Sequence, residues 1–206
     1  MISIKTITSI LLLNLFLFTS CLSKDKKKLP FLGKHTVKSK DTVLYSIPTY
    51  NFLRQDGINF GSADLKGKPY VAYFFFTSCP SVCPRMTQGA RRIQQALLKD
   101  IERYNIVAFS VDPERDTPES LKLFAKEYNA DFKNWHFLRG LEKDIFKVSQ
   151  KSFYVGVSKS EEEPGGYMHS EKMILVDSEG HLRGYYSGTD ATDVEKLIGD
   201  LSSIMK

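Results

Sequence analysis

Residues 70–76, Tyr-Val-Ala-Tyr-Phe-Phe-Phe, form an unbroken aromatic and β-branched run of strand length. A strand that is apolar on both faces has to be covered on both faces, which places it in the middle of an α/β sheet with helices on each side. The turn Leu65-Lys66-Gly67-Lys68-Pro69 leads into it, and Phe76-Thr77-Ser78-Cys79-Pro80-Ser81-Val82-Cys83-Pro84 follows at once. Met86, Ala90, Ile93 and Leu97 then recur at helical spacing, predicting a helix over residues 86–98. Two cysteines therefore sit where a buried strand ends and a helix begins.

The remaining elements extend this sheet. Residues 106–111 are a second buried strand, Thr117 is placed to cap a helix with Pro118 at its first position, and residues 136–138 read as a short strand. A helix over 142–148, strands over 153–157, 172–176 and 182–186, and a closing amphipathic helix over 190–204 come next. Upstream, residues 47–52 and 58–60 flank Gln55-Asp56-Gly57 as a small hairpin. That order predicts an α/β fold: a thioredoxin-like mixed sheet flanked by helices, with an N-terminal hairpin and an inserted loop before His169.

Three segments are expected. Residues 1–20 carry Lys5 and an apolar run from Ile10 to Phe18, too short to span a bilayer and suited to an export signal. Thr19-Ser20-Cys21 resembles a bacterial lipoprotein cleavage site, which makes Cys21 the lipidated first residue of the mature chain. Residues 21–44 are polar and lysine-rich, a linker whose composition cannot bury a core, and residues 45–206 form the domain. The expected location is the bacterial cell envelope, anchored to the membrane by lipid with the domain outside the cytoplasm. The net charge of +5 rests on 29 basic and 24 acidic residues, and Lys24, Lys26, Lys27 and Lys28 lie in one run near the anchor, so the excess suits an anionic membrane surface. No motif or basic stripe for nucleic acid is present, and a monomer is expected.

With Cys21 assigned to the anchor, Cys79 and Cys83 remain. A disulfide closing so short a loop restricts the unfolded chain little, so a chemical purpose is the better reading. A helix start presents free N–H groups and a positive dipole end, both of which favour thiolate. The spacing allows the pair either to close a disulfide or to grip one soft metal ion, and thiolates suit Cu(I). Among the histidines, His35 falls in the linker, His136 in a strand beside Trp135, and His181 after a turn; each reads as a surface or core residue. His169 instead follows the Glu161–Gly166 loop and precedes a strand, where a thioredoxin-like sheet faces its thiol loop. Oxidoreductases of that fold usually carry a cis-proline there, and Met168-His169-Ser170 has none. An imidazole at that place can complete a site of two sulfurs and one nitrogen.

Taken together, Cys79-Pro80-Ser81-Val82-Cys83-Pro84, then Val111-Asp112-Pro113-Glu114-Arg115-Asp116-Thr117-Pro118, then His169-Ser170 with Leu175-Val176-Asp177-Ser178-Glu179-Gly180, resemble the Sco/SenC family of copper proteins over residues 48–204. The resemblance implies a copper ion, Cu(I) or Cu(II), held by Cys79, Cys83 and His169. It further implies a metallochaperone that assists assembly of the copper centre of cytochrome c oxidase, its partner being the subunit that carries that centre. Two positions depart from the family pattern: Met168 stands where an Asp is common, and Ser81 where an acidic residue often lies between the cysteines. Both remove negative charge near the metal and so favour Cu(I) over Cu(II). The Met168 thioether is expected to pack, as is that of Met86 on its helix. Asp112 is a candidate for contact with a partner or a hydrogen bond near the metal, its plainer reading being a salt-bridged turn with Arg115 and Asp116.

A second function fits the same cysteines: an exported thiol-disulfide oxidoreductase that reduces the cysteines of a copper-site partner, with Cys79 attacking and Cys83 resolving. The metal reading requires His169 and the redox reading does not. Neither cysteine has a Thr three residues before it, against a peroxidase, and no nucleotide loop or paired catalytic carboxylates are present, so conventional turnover is not expected.

Overall fold

The computed structural model describes residues 28–38, 41–163 and 165–205; the expected signal and the lipid-anchor residue Cys21 lie outside them. In chain order, a short hairpin, β1 (Thr36–Lys38) and β2 (Asp41–Val43), precedes a second hairpin, β3 (Asn51–Arg54) and β4 (Asn59–Gly61). Then come β5 (Tyr70–Phe75), α1 (Val82–Ala96), β6 (Asn105–Ser110), α2 (Pro118–Glu127), β7 (Trp135–Arg139) and α3 (Glu142–Lys147). The chain ends with β8 (Val157–Lys159), β9 (Tyr167–His169), β10 (Lys172–Val176), β11 (Leu182–Ser187) and α4 (Ala191–Ile204).

Seven strands form one mixed sheet in the order β11-β10-β5-β6-β7-β3-β4. β5, β6 and β7 are parallel, while β10 adds antiparallel to β5 and β3 antiparallel to β7. The double-faced burial expected of residues 70–76 holds: every residue of β5 and β6 is buried. Phe74 stacks on Phe109 at 5.0 Å and Phe75 meets Phe124 at 5.1 Å, one face against the hairpin side and the other against α2. The expected cap of α2 is present, with Ser120 N–H donating to Thr117 Oγ1 at 3.2 Å, and Asp190 caps α4 through the Asp193 N–H at 2.9 Å.

Two stretches differ from the sequence reading. No strand forms over 153–156, and of the expected strand only its last residue, Val157, is in one, although Phe153, Val155 and Val157 alternate inward with Tyr154 and Gly156 outward. Tyr154 takes a φ of 53°, which no strand residue holds, and α3 runs on through a wide turn at Val148–Ser152 that delivers Phe153 into the aromatic core 5.6 Å from Phe109. Strand geometry begins only at β8, which pairs with β9 in a separate two-stranded sheet. The second is the stretch read as linker. Its described part carries the β1–β2 hairpin, Leu29 is buried, and Arg183 donates to the Leu29 and Pro30 carbonyls at 2.6 and 3.0 Å. Among the described residues, no helix is long and apolar enough to cross a membrane.

His136, on β7, is a core histidine. Its ring lies 4.3 Å from that of Phe60 and its Nε2 donates to Asn105 Oδ1 at 3.1 Å, the arrangement of a neutral imidazole. Burial, with Arg54 nearby, holds its pKa down at about 4 against an ordinary 6.5. A histidine depressed in the folded state favours folding above about pH 6.5 and loses that contribution as pH falls toward 4. We expect roughly 3 kcal/mol of stability to be lost over that window from this group. Urea midpoints measured from pH 7 to pH 4 should fall less steeply in His136→Leu than in the unmodified chain, and parallel slopes would refute the assignment.

Candidate metal centre

The cysteine loop leaves β5 at its C-terminal end. α1 begins at Val82, four residues before the expected start, so Cys83 lies within the first helical turn on the buried face shared with Met86, Ala90 and Ile93. Cys79 and Cys83 are both free thiols and both buried, Cys83 completely. His169 reaches them from β9, 86 residues after Cys83 in sequence, and its Nε2 stands 3.0 Å from Cys83 Sγ. One donor atom from each of Cys79, Cys83 and His169 lies within 4.8 Å of the others. His169 Nδ1 faces the Ser170 carbonyl at 3.3 Å; a proton held there leaves Nε2 with its lone pair toward the sulfurs.

The thiols are unequal. The Cys83 side chain, the His169 ring and backbone N–H groups stabilise a thiolate at Cys79, and hold its pKa well below that of an ordinary cysteine despite partial burial. Burial drives the Cys83 thiol the other way, aided by the neighbouring Cys79 and Asp116 charges. The pair thus carries one ready thiolate at the edge and one protonated sulfur inside.

The imidazole is held by contacts that sequence reading did not single out. The Phe76 ring meets His169 edge-on at 5.6 Å and Tyr167 at 5.4 Å. Gly165, at φ +92°, lies so close that an added Cβ would sit 2.6 Å from the Phe76 ring. Arg115 pairs with the buried Asp112 carboxylate and donates from Nη2 to the Gly165 carbonyl at 2.6 Å. The Tyr167 hydroxyl donates to Glu142 Oε1 at 3.0 Å and lies 3.4 Å from Asp112 Oδ1. Asp112 is thus turned inward, its hydrogen bonds going to Arg115 and to the strand that carries His169. Asp116, expected to share that turn, points elsewhere: it accepts from Thr77 Oγ1 and Ser110 Oγ at 2.5 Å each and from the Thr77 N–H at 3.3 Å. It ties the start of the cysteine loop to the end of β6. The only trace of this in the sequence is the four-residue spacing of the two carboxylates after a buried strand.

His35 and His181 are engaged elsewhere: His35 Nδ1 accepts the Tyr45 N–H at 2.9 Å, and His181 Nδ1 donates to the Tyr45 carbonyl at 2.7 Å. The Glu161–Glu163 run is exposed, as a solvated loop tip should be.

Two substitutions test how the site is built. Asp116→Ala leaves the Thr77 N–H and two hydroxyls without their acceptor and should lower stability by about 2–4 kcal/mol in denaturant unfolding. Gly165→Ala combines a left-handed φ with a collision against Phe76 and should cost about 1–3 kcal/mol while broadening the His169 ring resonances. A sharp, unshifted His169 spectrum in Gly165→Ala would mean that the hairpin position does not depend on this contact.

Comparison with known proteins agrees with the geometry. The family model described as SCO1/SenC matches residues 40–206. Among solved structures, a SCO1/SenC family lipoprotein from Bacillus anthracis is similar at 38% identity and a TM-score of 0.72, over 78% of this chain and 95% of that one. BsSco, described as a member of the Sco family of cytochrome c oxidase assembly proteins with a disulfide switch, is similar at 36% identity and 0.69, over 78% and 93%. ScoI of Bradyrhizobium japonicum, solved with copper bound, is similar at 27% identity and 0.67, over 78% and all of that chain. With a thioredoxin-like mixed sheet, a cysteine pair at the head of α1 and a family match across most of its length, the chain belongs to the SCO1/SenC family.

Proposed function

We propose that this protein is a copper metallochaperone in which Cys79 Sγ, Cys83 Sγ and His169 Nε2 hold the ion. Its task is to assist assembly of the copper centre of cytochrome c oxidase, and its partner is the subunit that carries that centre. The observation that carries the reading is the convergence of these three donors from two distant segments of the chain, all within 4.8 Å. Two sulfurs and an imidazole form a soft donor set of the kind that favours copper. The copper-bound ScoI supports the choice of metal, and the naming of BsSco as an oxidase assembly protein supports the destination.

Each residue has a distinct part. Cys79, already inclined to the thiolate, meets the incoming ion first, and Cys83 gives up its proton as it becomes the inner ligand. His169 adds a neutral lone pair, directed by its Nδ1 contact with Ser170. Two thiolates with Cu(I) leave one net negative charge in a buried place, which the first turn of α1 stabilises. Residues 1–20 are read as the export signal, Cys21 as the lipid anchor and residues 45–206 as the working domain, a monomer outside the cytoplasm, onto which Leu29, Pro30 and Leu32 pack. The lipoprotein relative from Bacillus anthracis supports that arrangement.

The unequal thiols favour a second reading, thiol-disulfide exchange on a partner's cysteines. Cys79 would attack as thiolate and Cys83 would resolve the mixed disulfide, leaving Cys79–Cys83 oxidised and the partner reduced. Only the reduced pair could then carry copper, so the two activities alternate on one site.

Anaerobic titration of the reduced protein with Cu(I) should give one equivalent bound. Cys79→Ser, Cys83→Ser and His169→Ala should each weaken binding by tenfold or more, and affinity should fall as pH is lowered because protons compete with the ion for the thiolates. Unchanged affinity in His169→Ala would remove the metal reading, while disulfide exchange that persists in that variant would favour the redox one.

A further inference from the structure

Met168 precedes the ligand histidine on β9, where an apolar side chain would be expected to pack. It does not: 51% of its surface is exposed, whereas Tyr167 beside it is buried and Met86, the methionine nearest Cys83 in sequence, is fully enclosed. A half-exposed methionine on a strand otherwise anchored by Phe76 and Glu142 contributes little to the core. Its surroundings are specific, however. A cavity of about 70 Å³ opens beside the cysteine loop, and its walls are formed by Cys79, Ser81, Glu163, Met168 and His169 among others.

The donors of that region are graded in depth. Cys83 is fully buried, Cys79 is nearly so, His169 is partly exposed and Met168 is half exposed. Met168 lines the same cavity as Cys79 and His169, so an ion bound by those two has the methionine beside it. A thioether is neutral and polarizable, binds Cu(I) and discriminates against harder ions. Its unbranched side chain turns about three bonds, so it can turn toward an ion beside it. The competing donor on the same cavity is the Glu163 carboxylate, which is hard, charged and better suited to Cu(II).

We propose that Met168 is a fourth, soft donor to the copper ion held by Cys79, Cys83 and His169, and that it makes the site selective for Cu(I). This rests on the copper reading given above. The side chain is a specificity-determining ligand on the exposed side of the site; the thiolates and the imidazole supply most of the affinity.

The test uses the full reduced protein with copper alone as the probe. Cu(I) affinity is measured anaerobically against a chromophoric Cu(I) chelator, and Cu(II) affinity against an amino-acid competitor, for the unmodified chain, Met168→Leu and Glu163→Gln. Because Met168 is exposed, its replacement by Leu should leave the melting temperature unchanged. The expected result is a loss of Cu(I) affinity of tenfold or more in Met168→Leu with Cu(II) affinity held within twofold, and no Cu(I) change in Glu163→Gln. Selenomethionine-labelled protein should show a copper–selenium distance by X-ray absorption that disappears in Met168→Leu. Equal Cu(I) affinities in the unmodified chain and Met168→Leu, with no copper–selenium scattering, would overturn the proposal while leaving the three-ligand site standing. Failure of the unmodified chain to bind Cu(I) would overturn both. A loss in Glu163→Gln without one in Met168→Leu would assign the fourth position to the carboxylate and refute the thioether.

Discussion

The imidazole of His169 stays within reach of the thiols because the two-stranded sheet that carries it is pressed onto the Phe76 ring. β8 and β9 do not join the seven-stranded sheet, so no hydrogen-bond ladder to the central strands fixes their position. What holds them instead is side-chain contact: the edge of Phe76 against His169 and Tyr167, the Gly165 backbone laid over the same ring, the Arg115 bond to the Gly165 carbonyl, the Tyr167 hydroxyl on Glu142, the Gln150 amide on the Val157 carbonyl, and the burial of Val157 and Tyr167 in the core. Each polar or ring contact is worth on the order of 1 kcal/mol, and burial of Val157 adds about 1.5–3 kcal/mol. The thiols sit at the end of a central strand and the nitrogen on a two-stranded sheet that side chains hold against it. A ligand that joins the two halves would therefore return part of its binding free energy as order in the hairpin.

Charge explains why such a site calls for a cation. Within a small volume the fold gathers Cys79, with its tendency to ionise, the buried Asp112 and the buried Asp116. Asp112 is compensated by Arg115, whereas Asp116 is held by hydroxyls and an N–H, and burial raises its pKa above the usual carboxylate range. A second thiolate at Cys83 is opposed by burial and by two negative neighbours. A metal ion reverses that balance, since a bound cation is the largest local charge and favours deprotonated sulfur. The same feature makes the apo thiol at Cys83 slow to ionise unaided, which suits a resolving cysteine as well as an inner ligand.

Much of this was legible from the chain. The double-faced run at residues 70–76 declared a central strand because no other environment covers seven consecutive apolar residues of that type. Thr117 with Pro118, and Asp190, declared helix starts through cap chemistry that operates locally. The position of His169 was accessible through topology, because a residue just before β10 necessarily lies at the strand ends near the cysteine loop. What escaped was whatever depends on distant partners. Residues 153–157 alternate like a strand, yet Tyr154 adopts a left-handed backbone and the inward side chains fill the core without a neighbouring strand. The division of labour between Asp112 and Asp116 was likewise invisible: their spacing suits one salt-bridged turn, and only the fold sends one carboxylate to Thr77 and the other to Arg115 and Tyr167.

The order of exposure across the donors bears on how an ion could be both kept and surrendered. A donor set that is uniformly buried holds metal tightly but offers a recipient no point of attack. A uniformly exposed set loses metal to any competing thiol. Here the innermost sulfur is inaccessible, the outer sulfur is nearly so, and the imidazole belongs to a hairpin held to the sheet through side chains. On the proposed ligand set, opening that hairpin would remove one ligand and leave the two thiols in place. The energy needed is that of undocking β8 and β9 and not that of unfolding the sheet. On that proposal, an incoming donor from a partner would replace the imidazole before either sulfur let go, and the ion would not need to be released to water.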